Sequence, residues 1–181
     1  MADTRTFEDY FASKGALPGE QVIEDDQLLV LRAGTVFRAA TFADGGVATM
    51  AQNATVTTIA TIDVWVPIAG TLADVDHTDS FTFAANAYTF IGANRLHAAR
   101  LEASLSVSKA GNGDIDFEIG LFVNGSQVGT SMAGTSSADV ISSLYCIAPY
   151  ILQTGDVIDV RIRNIDGIDD LLVAYAQLAI S

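Results

Sequence analysis

Leu101-Glu-Ala-Ser-Leu-Ser-Val-Ser108 and, shortly after it, Asp114-Ile-Asp-Phe-Glu-Ile-Gly-Leu-Phe-Val123 set apolar side chains at odd positions, with mostly polar ones between them. That period of two belongs to a β-strand with one buried face, because successive side chains leave opposite faces of the sheet. Leu101, Leu105 and Val107 therefore share one face of the first strand. In the second, Ile115, Phe117, Ile119, Leu121 and Val123 point inward while Asp114, Asp116 and Glu118 meet water. Residues 156–163 repeat the rule, with Ile158, Val160 and Ile162 opposite Asp159, Arg161 and Arg163. Half-buried strands of this kind build antiparallel sheets.

Turn chemistry falls between these runs, at Gly111-Asn-Gly113, Asn124-Gly125, Gly134, Gly155-Asp156 and Asp166-Gly167. Asn124-Gly125 is the strongest hairpin signal, since both residues tolerate the positive φ of a tight turn. Further strands are predicted over 61–68, 80–84, 88–91, 141–147 and 171–180. Roughly eight or more strands at short spacing imply a β-sandwich or barrel. The last strand is apolar on both faces, from Leu171 through Val173 and Tyr175 to Ile180. A strand covered on both sides in a two-sheet sandwich needs a second chain or segment over its outer face. Leu171, Val173, Tyr175 and Gln177 are accordingly assigned to an oligomer interface.

The first 54 residues differ in texture and are read as an arm and linker, with the main domain over 55–181. Residues 4–14 (TRTFEDYFASK) carry Thr followed by acids, a helix start that Gly15 would end. Leu17-Pro-Gly-Glu20 is a turn, and residues 27–40 give two short apolar runs around Ala33-Gly34, a hairpin. Residues 42–54, with Gly45-Gly46 and many Ala and Thr, read as a flexible connector. A segment this small cannot bury its own apolar side chains. Phe7, Tyr10, Phe11, Leu29, Leu31 and Phe37 are therefore expected to attach the chain to a partner surface.

Composition narrows the function classes. Half of the residues (50%) are hydrophobic and only 17% charged, which favours burial of surface against other chains. A net charge of -13 with nine Lys plus Arg argues against a phosphate-binding footprint, so nucleic acid is not expected as a partner. Cys146 is the single cysteine and sits in an apolar run, the setting of an inert buried thiol. The opening MADTRTFEDYF lacks the basic start and apolar core of a signal peptide, and no apolar run approaches the roughly 18 residues that span a bilayer. A soluble protein made in the cytoplasm, without a membrane partner, is the expectation.

Catalytic and ligand chemistry is sparse. Asp74-Val-Asp76-His77-Thr-Asp79 offers alternating carboxylates and an imidazole, but without the glycine and terminal glutamate of a calcium loop it reads as a solvated acidic loop. Asp166-Gly-Ile-Asp169-Asp170 reads as a turn, and His97 as a surface or interface residue beside Arg95 and Arg100. The strand carboxylates face water, where nothing raises an acid's pKa for sugar hydrolysis. Gly111-Asn-Gly113 precedes a strand rather than a helix and so forms no phosphate loop. Trp65 and Phe81 alternate with polar neighbours and are assigned to the core rather than to a sugar-stacking surface. No enzyme activity, cofactor or metal is expected.

Three stretches together resemble the trimeric jelly-roll domains of the C1q/tumour-necrosis-factor type found in virion proteins of tailed bacteriophages. They are the alternating strand and acidic hairpin over 101–122, the string Leu152-Gln-Thr-Gly-Asp-Val-Ile-Asp-Val-Arg-Ile-Arg-Asn164, and the closing apolar strand to Ile180. Val22-Ile-Glu-Asp-Asp-Gln-Leu-Leu-Val-Leu-Arg-Ala-Gly-Thr-Val-Phe-Arg38 is similar to an element that precedes many phage fibre and capsid-decoration domains. The resemblance implies an antiparallel jelly-roll β-sandwich behind a short arm with a helix and a hairpin, assembled as a homotrimer with the arm on the particle. It implies a non-enzymatic capsid cement or decoration protein on the virion surface, bound to the major capsid protein. The alternative it leaves is a tail-fibre or receptor-binding tip that recognises a host surface glycan.

Overall fold

The alternating runs form the long strands that carry the molecule. The computed structural model describes residues 29–32, 35–38, 45–92, 97–111, 113–138 and 140–181, in two units, Met1–Phe42 and Ala43–Ser181. In the first unit, β1 (Leu29–Arg32) and β2 (Thr35–Arg38) pair antiparallel, with Val30 opposite Phe37 and Leu31 opposite Val36. The helix expected over 4–14, with Phe7, Tyr10 and Phe11, lies outside the described residues.

The second unit is two antiparallel sheets. One runs in the order β12 (Ser142–Leu152), β9 (His97–Lys109), β14 (Leu171–Ile180), β3 (Gly46–Met50), β6 (Ala73–His77), with β4 (Val56–Thr57) also on β14. The other runs β11 (Ser126–Ser137), β10 (Asp114–Val123), β13 (Val157–Asn164), β8 (Ala87–Phe90), β7 (Phe81–Ala84), with β5 (Val66–Pro67) also on β13. The chain crosses from one sheet to the other at most connections, staying within a sheet at β3–β4, β7–β8 and β10–β11, as in a jelly roll. Ile119, Leu121 and Val123 of β10 stand opposite Ile162, Val160 and Ile158 of β13. Leu101, Ala103 and Leu105 of β9 stand opposite Ile180, Leu178 and Ala176 of β14. These two sets, each at most 5% exposed, are the facing halves of the core.

β14 changes phase part-way. Leu171 and Val173 point inward at odd positions, whereas Ala176, Leu178 and Ile180 point inward at even ones. The register against β9 shifts between Val173 and Tyr175, a bulge that turns the strand over by one residue. Asn53 holds it: its backbone N donates to Ala174 O at 3.0 Å and its Nδ2 to Val173 O at 3.0 Å. The strand that looks apolar on both faces is therefore, in large part, one buried face written in two phases.

Three expectations are corrected. The connector over 42–54 contains β3, paired with the C-terminal half of β14, and Ala48 is wholly buried. Its small residues make room rather than slack: a Cβ on Gly46 would lie 2.8 Å from the Tyr88 ring. Of the strand expected over 61–68, only Val66–Pro67 is extended and paired. Gly134 is no turn but part of β11 opposite Phe117, where a Cβ would come within 3.1 Å of Leu144. The short spacing needed between β11 and β12 explains the glycine.

The boundary of the folded unit thus precedes β3. A chain beginning at residue 43 should melt cooperatively, whereas one beginning at residue 55 loses β3 and Asn53 and uncovers Tyr88. Calorimetry checks this; a cooperative transition from the shorter chain would remove β3 from the core.

Candidate functional site

The outer face of the β12-β9-β14 sheet leaves large apolar side chains exposed. Cross-strand rows run Tyr145–Ser104–Gln177 and Ser143–Ser106–Tyr175. Tyr145, Ile147 and Ile151 of β12 are 45%, 40% and 56% exposed, and Tyr175 of β14 is 46% exposed. The middle strand is polar: the hydroxyls of Ser106 and Ser143 lie 2.9 Å apart. At one end Arg100 pairs with Glu102 at 2.6 Å and donates to the Tyr145 hydroxyl at 3.2 Å. An apolar stripe flanked by short hydroxyls is suited to packing against protein.

Of the residues assigned to an interface from sequence, Tyr175 and Gln177 are exposed on this face. Leu171 and Val173 are not available to a partner: both are 0% exposed in the sandwich core, on the inward phase that precedes the bulge. Tyr145, Ile147 and Ile151 were missed because the run over 141–147 reads as core; their alternation with Leu144, Cys146 and Ala148 carried the signal. Leu29 and Leu31 lie on β1 and Phe37 on β2 of the hairpin.

The outer face of the other sheet is filled by its own chain. Trp65 is half-buried there rather than in the core, edge-on to Phe122 with centroids 5.2 Å apart, over the bare backbone of Gly120. The Arg163 guanidinium stacks on the indole at 4.6 Å and binds Glu118 at 2.6 Å and Asp63 at 2.7 Å. Arg161 stacks on Phe122 at 4.6 Å and binds Asp159 at 2.8 Å. These stacked and paired groups shield one another from water. Phe81, by contrast, is in the core at 1% exposure.

The acidic loop of the sequence is mostly edge strand β6. His77 Nδ1 lies 2.6 Å from Asp74 Oδ2, and the Tyr88 hydroxyl donates to Asp74 Oδ1 at 2.9 Å. Burial, with the Asp74 carboxylate beside it, pushes the Tyr88 phenol up. Among the described residues no three His, Cys, Asp or Glu are grouped to hold a metal ion. Asp166 and Gly167 donate their N–H groups to Asn164 Oδ1 at 3.0 and 2.9 Å, closing the turn. Burial pushes the Cys146 thiol up to about 11. No described helix is long and apolar enough to cross a membrane.

No family model matches the chain, and no curated protein matches it. Among solved structures it is similar to the PRD1 vertex protein P5, with a TM-score of 0.57 at 10% identity, over 100% of this chain and 97% of that one. It is also similar to murine APRIL (TM-score 0.49, 13% identity, 75% of this chain and 97% of that one). The globular domain of zebrafish complement 1qA gives a TM-score of 0.44 at 18% identity, over 75% of this chain and 95% of that one. At these identities the likeness is one of fold: an all-β sandwich of two antiparallel sheets.

Two measurements check the geometry. Gly120→Leu should drive Trp65, the single tryptophan, off its seat, shifting its emission to the red and costing about 1–3 kcal/mol of stability. Because the thiolate is the nucleophile, a thiol titrating near 11 is only about one part in a thousand ionised at pH 8. Cys146 should stay unreactive to a disulfide reagent there until the protein unfolds; fast labelling of the folded form would contradict its burial.

Proposed function

We propose that the chain is a non-enzymatic structural protein of a phage particle, a homotrimer that decorates and strengthens the capsid. The observation that carries this reading is the uncovered aromatic and aliphatic stripe of Tyr145, Ile147, Ile151 and Tyr175 on one sheet of a complete sandwich. Three copies meeting around an axis through that face would cover it. The likeness in fold to a vertex protein along the whole chain supports a place on a virion. In this reading the arm attaches to the major capsid protein through Phe7, Tyr10, Phe11, Leu29, Leu31 and Phe37.

A vertex spike or fibre tip is the second reading, favoured by the likeness in fold to that same vertex protein. Copy number separates the two: hundreds per particle mean shell-wide cement, a few dozen or fewer a vertex or tail part. A chain beginning at residue 43 should trimerise yet fail to bind purified empty capsids.

Trimer formation is tested at the stripe. Light scattering should give three chains for the wild protein, and Tyr145→Asp with Tyr175→Asp should give monomers, since a charge stranded in an interface costs several kcal/mol. Both side chains are half exposed in the single chain, so the monomers should stay folded. A monomeric wild protein would overturn the reading.

A further inference from the structure

One end of the sandwich carries a cluster of aliphatic side chains that the fold does not use. Ile62 and Val64 are 46% and 47% exposed, Val140 and Ile141 56% and 55%, and Ile168 66%. They sit on three connections at the end of the sandwich where β14 begins, over 58–65, 140–141 and 165–170. Those connections are tied down. Asp63 N donates to Asn164 O at 2.8 Å, Ile59 N donates to Asp170 Oδ1 at 2.8 Å, and Ser136 Oγ donates to Val140 O. Connections of this kind ordinarily carry polar turn residues, and five branched aliphatics held in water by an ordered scaffold mark a contact surface.

The charge around them selects the partner. Asp63, Asp114, Asp166 and Asp169 lie at the same end, all exposed. Two cations there are committed: Lys109 pairs with Asp169 at 2.9 Å, and Arg163 with Asp63 at 2.7 Å and Glu118 at 2.6 Å. A second copy meeting tip to tip would bring like charges together, and nucleic acid or anionic headgroups would be repelled. A sugar would lack a free ring to stack on, since Trp65 lies beneath Arg163. We infer that this end of the sandwich, built on Ile62, Val64, Val140, Ile141 and Ile168, is a docking surface for a protein segment that combines basic and aliphatic side chains.

Gly46, where β3 begins, lies opposite Ile180, while the tip adjoins Leu171; nine steps along β14 separate its two ends by about 30 Å. In the proposed trimer three tips would share one end, and that multiplicity alone rests on the trimer reading.

The test uses the full chain and a short amphipathic peptide of lysine and leucine, with its glutamate counterpart as control, followed by fluorescence anisotropy. The lysine peptide should bind, more weakly at high salt, and the glutamate peptide should not. Ile62→Ser with Ile168→Ser leaves the charge unchanged and should weaken binding at least tenfold. Val75→Ser, an equally exposed side chain on the remote edge strand β6, should not. Equal binding of both peptides, no effect at Ile62 and Ile168, or the same loss at Val75 would overturn the proposal. So would a concentration-dependent doubling of mass abolished by the Ile168 substitution, which makes a second copy the occupant. Light scattering reads the trimer separately, so failure of one reading is not mistaken for failure of the other.

Discussion

The bulge in β14 and the asparagine that grips it decide which side chains form the core. β14 lies between β9 on one side and β3 and β4 on the other, so its phase fixes the inner face of the whole sheet. Were the alternation of Leu171 and Val173 to run on unbroken, Tyr175, Gln177 and Ala179 would turn inward and Leu178 and Ile180 outward. Burying a glutamine amide without partners costs a few kcal/mol, and exposing two large aliphatics costs as much again. One extra residue at Ala174 avoids both. A bulge leaves backbone groups unpaired, and Asn53 answers them with its own N–H and its side-chain amide, which also donates to Ala69 O at 3.0 Å.

The same device breaks the neighbouring strand. β3 pairs with residues 176–180 of β14 and β4 with residues 171–172, and Asn53 lies between β3 and β4 in sequence. From β4 the chain crosses to the other sheet as β5, laying Trp65 over Gly120, and returns as β6. The outer face of one sheet is thus completed by a segment whose path starts at the bulge of the other.

What the sequence discloses follows from how strongly each segment alternates. β9, β10 and β13 are legible because large apolar side chains alternate with charged or hydroxyl ones over most of their length, and Asn124-Gly125 turns as expected, with φ of 51° and 77°. β11 is hidden, because Gly129, Ala133 and Gly134 show no contrast of size or polarity; the two glycines are bare so that β12 can approach. The β7–β8 turn is hidden too, since Ala85 and Asn86 adopt φ of 51° and 63° without a glycine to announce it, braced by Asn86 Oδ1 accepting from Leu72 N at 2.8 Å. At the candidate site, Tyr175 was readable as an odd aromatic in an apolar strand. Leu171 and Val173 were misassigned because a phase change looks, in one dimension, like two apolar faces.

The two outer faces differ in completeness, and that difference bears on how the molecule assembles. On the Trp65 face the cations stack on rings and meet carboxylates, and among the described residues Asp159 Oδ1 is the one buried side-chain polar atom without a hydrogen bond. Among the described residues nothing of that kind covers Tyr145, Ile147, Ile151 and Tyr175. β12, which carries most of the stripe, is an edge strand, and an open edge ordinarily invites another strand to add on. Pro149 lies in that edge and has no N–H to offer, and Ile147 and Ile151 alternate with it on the outer face. A partner therefore gains more by laying side chains against the face of the sheet than by extending it, which favours a closed ring of a few copies over an open run of added strands.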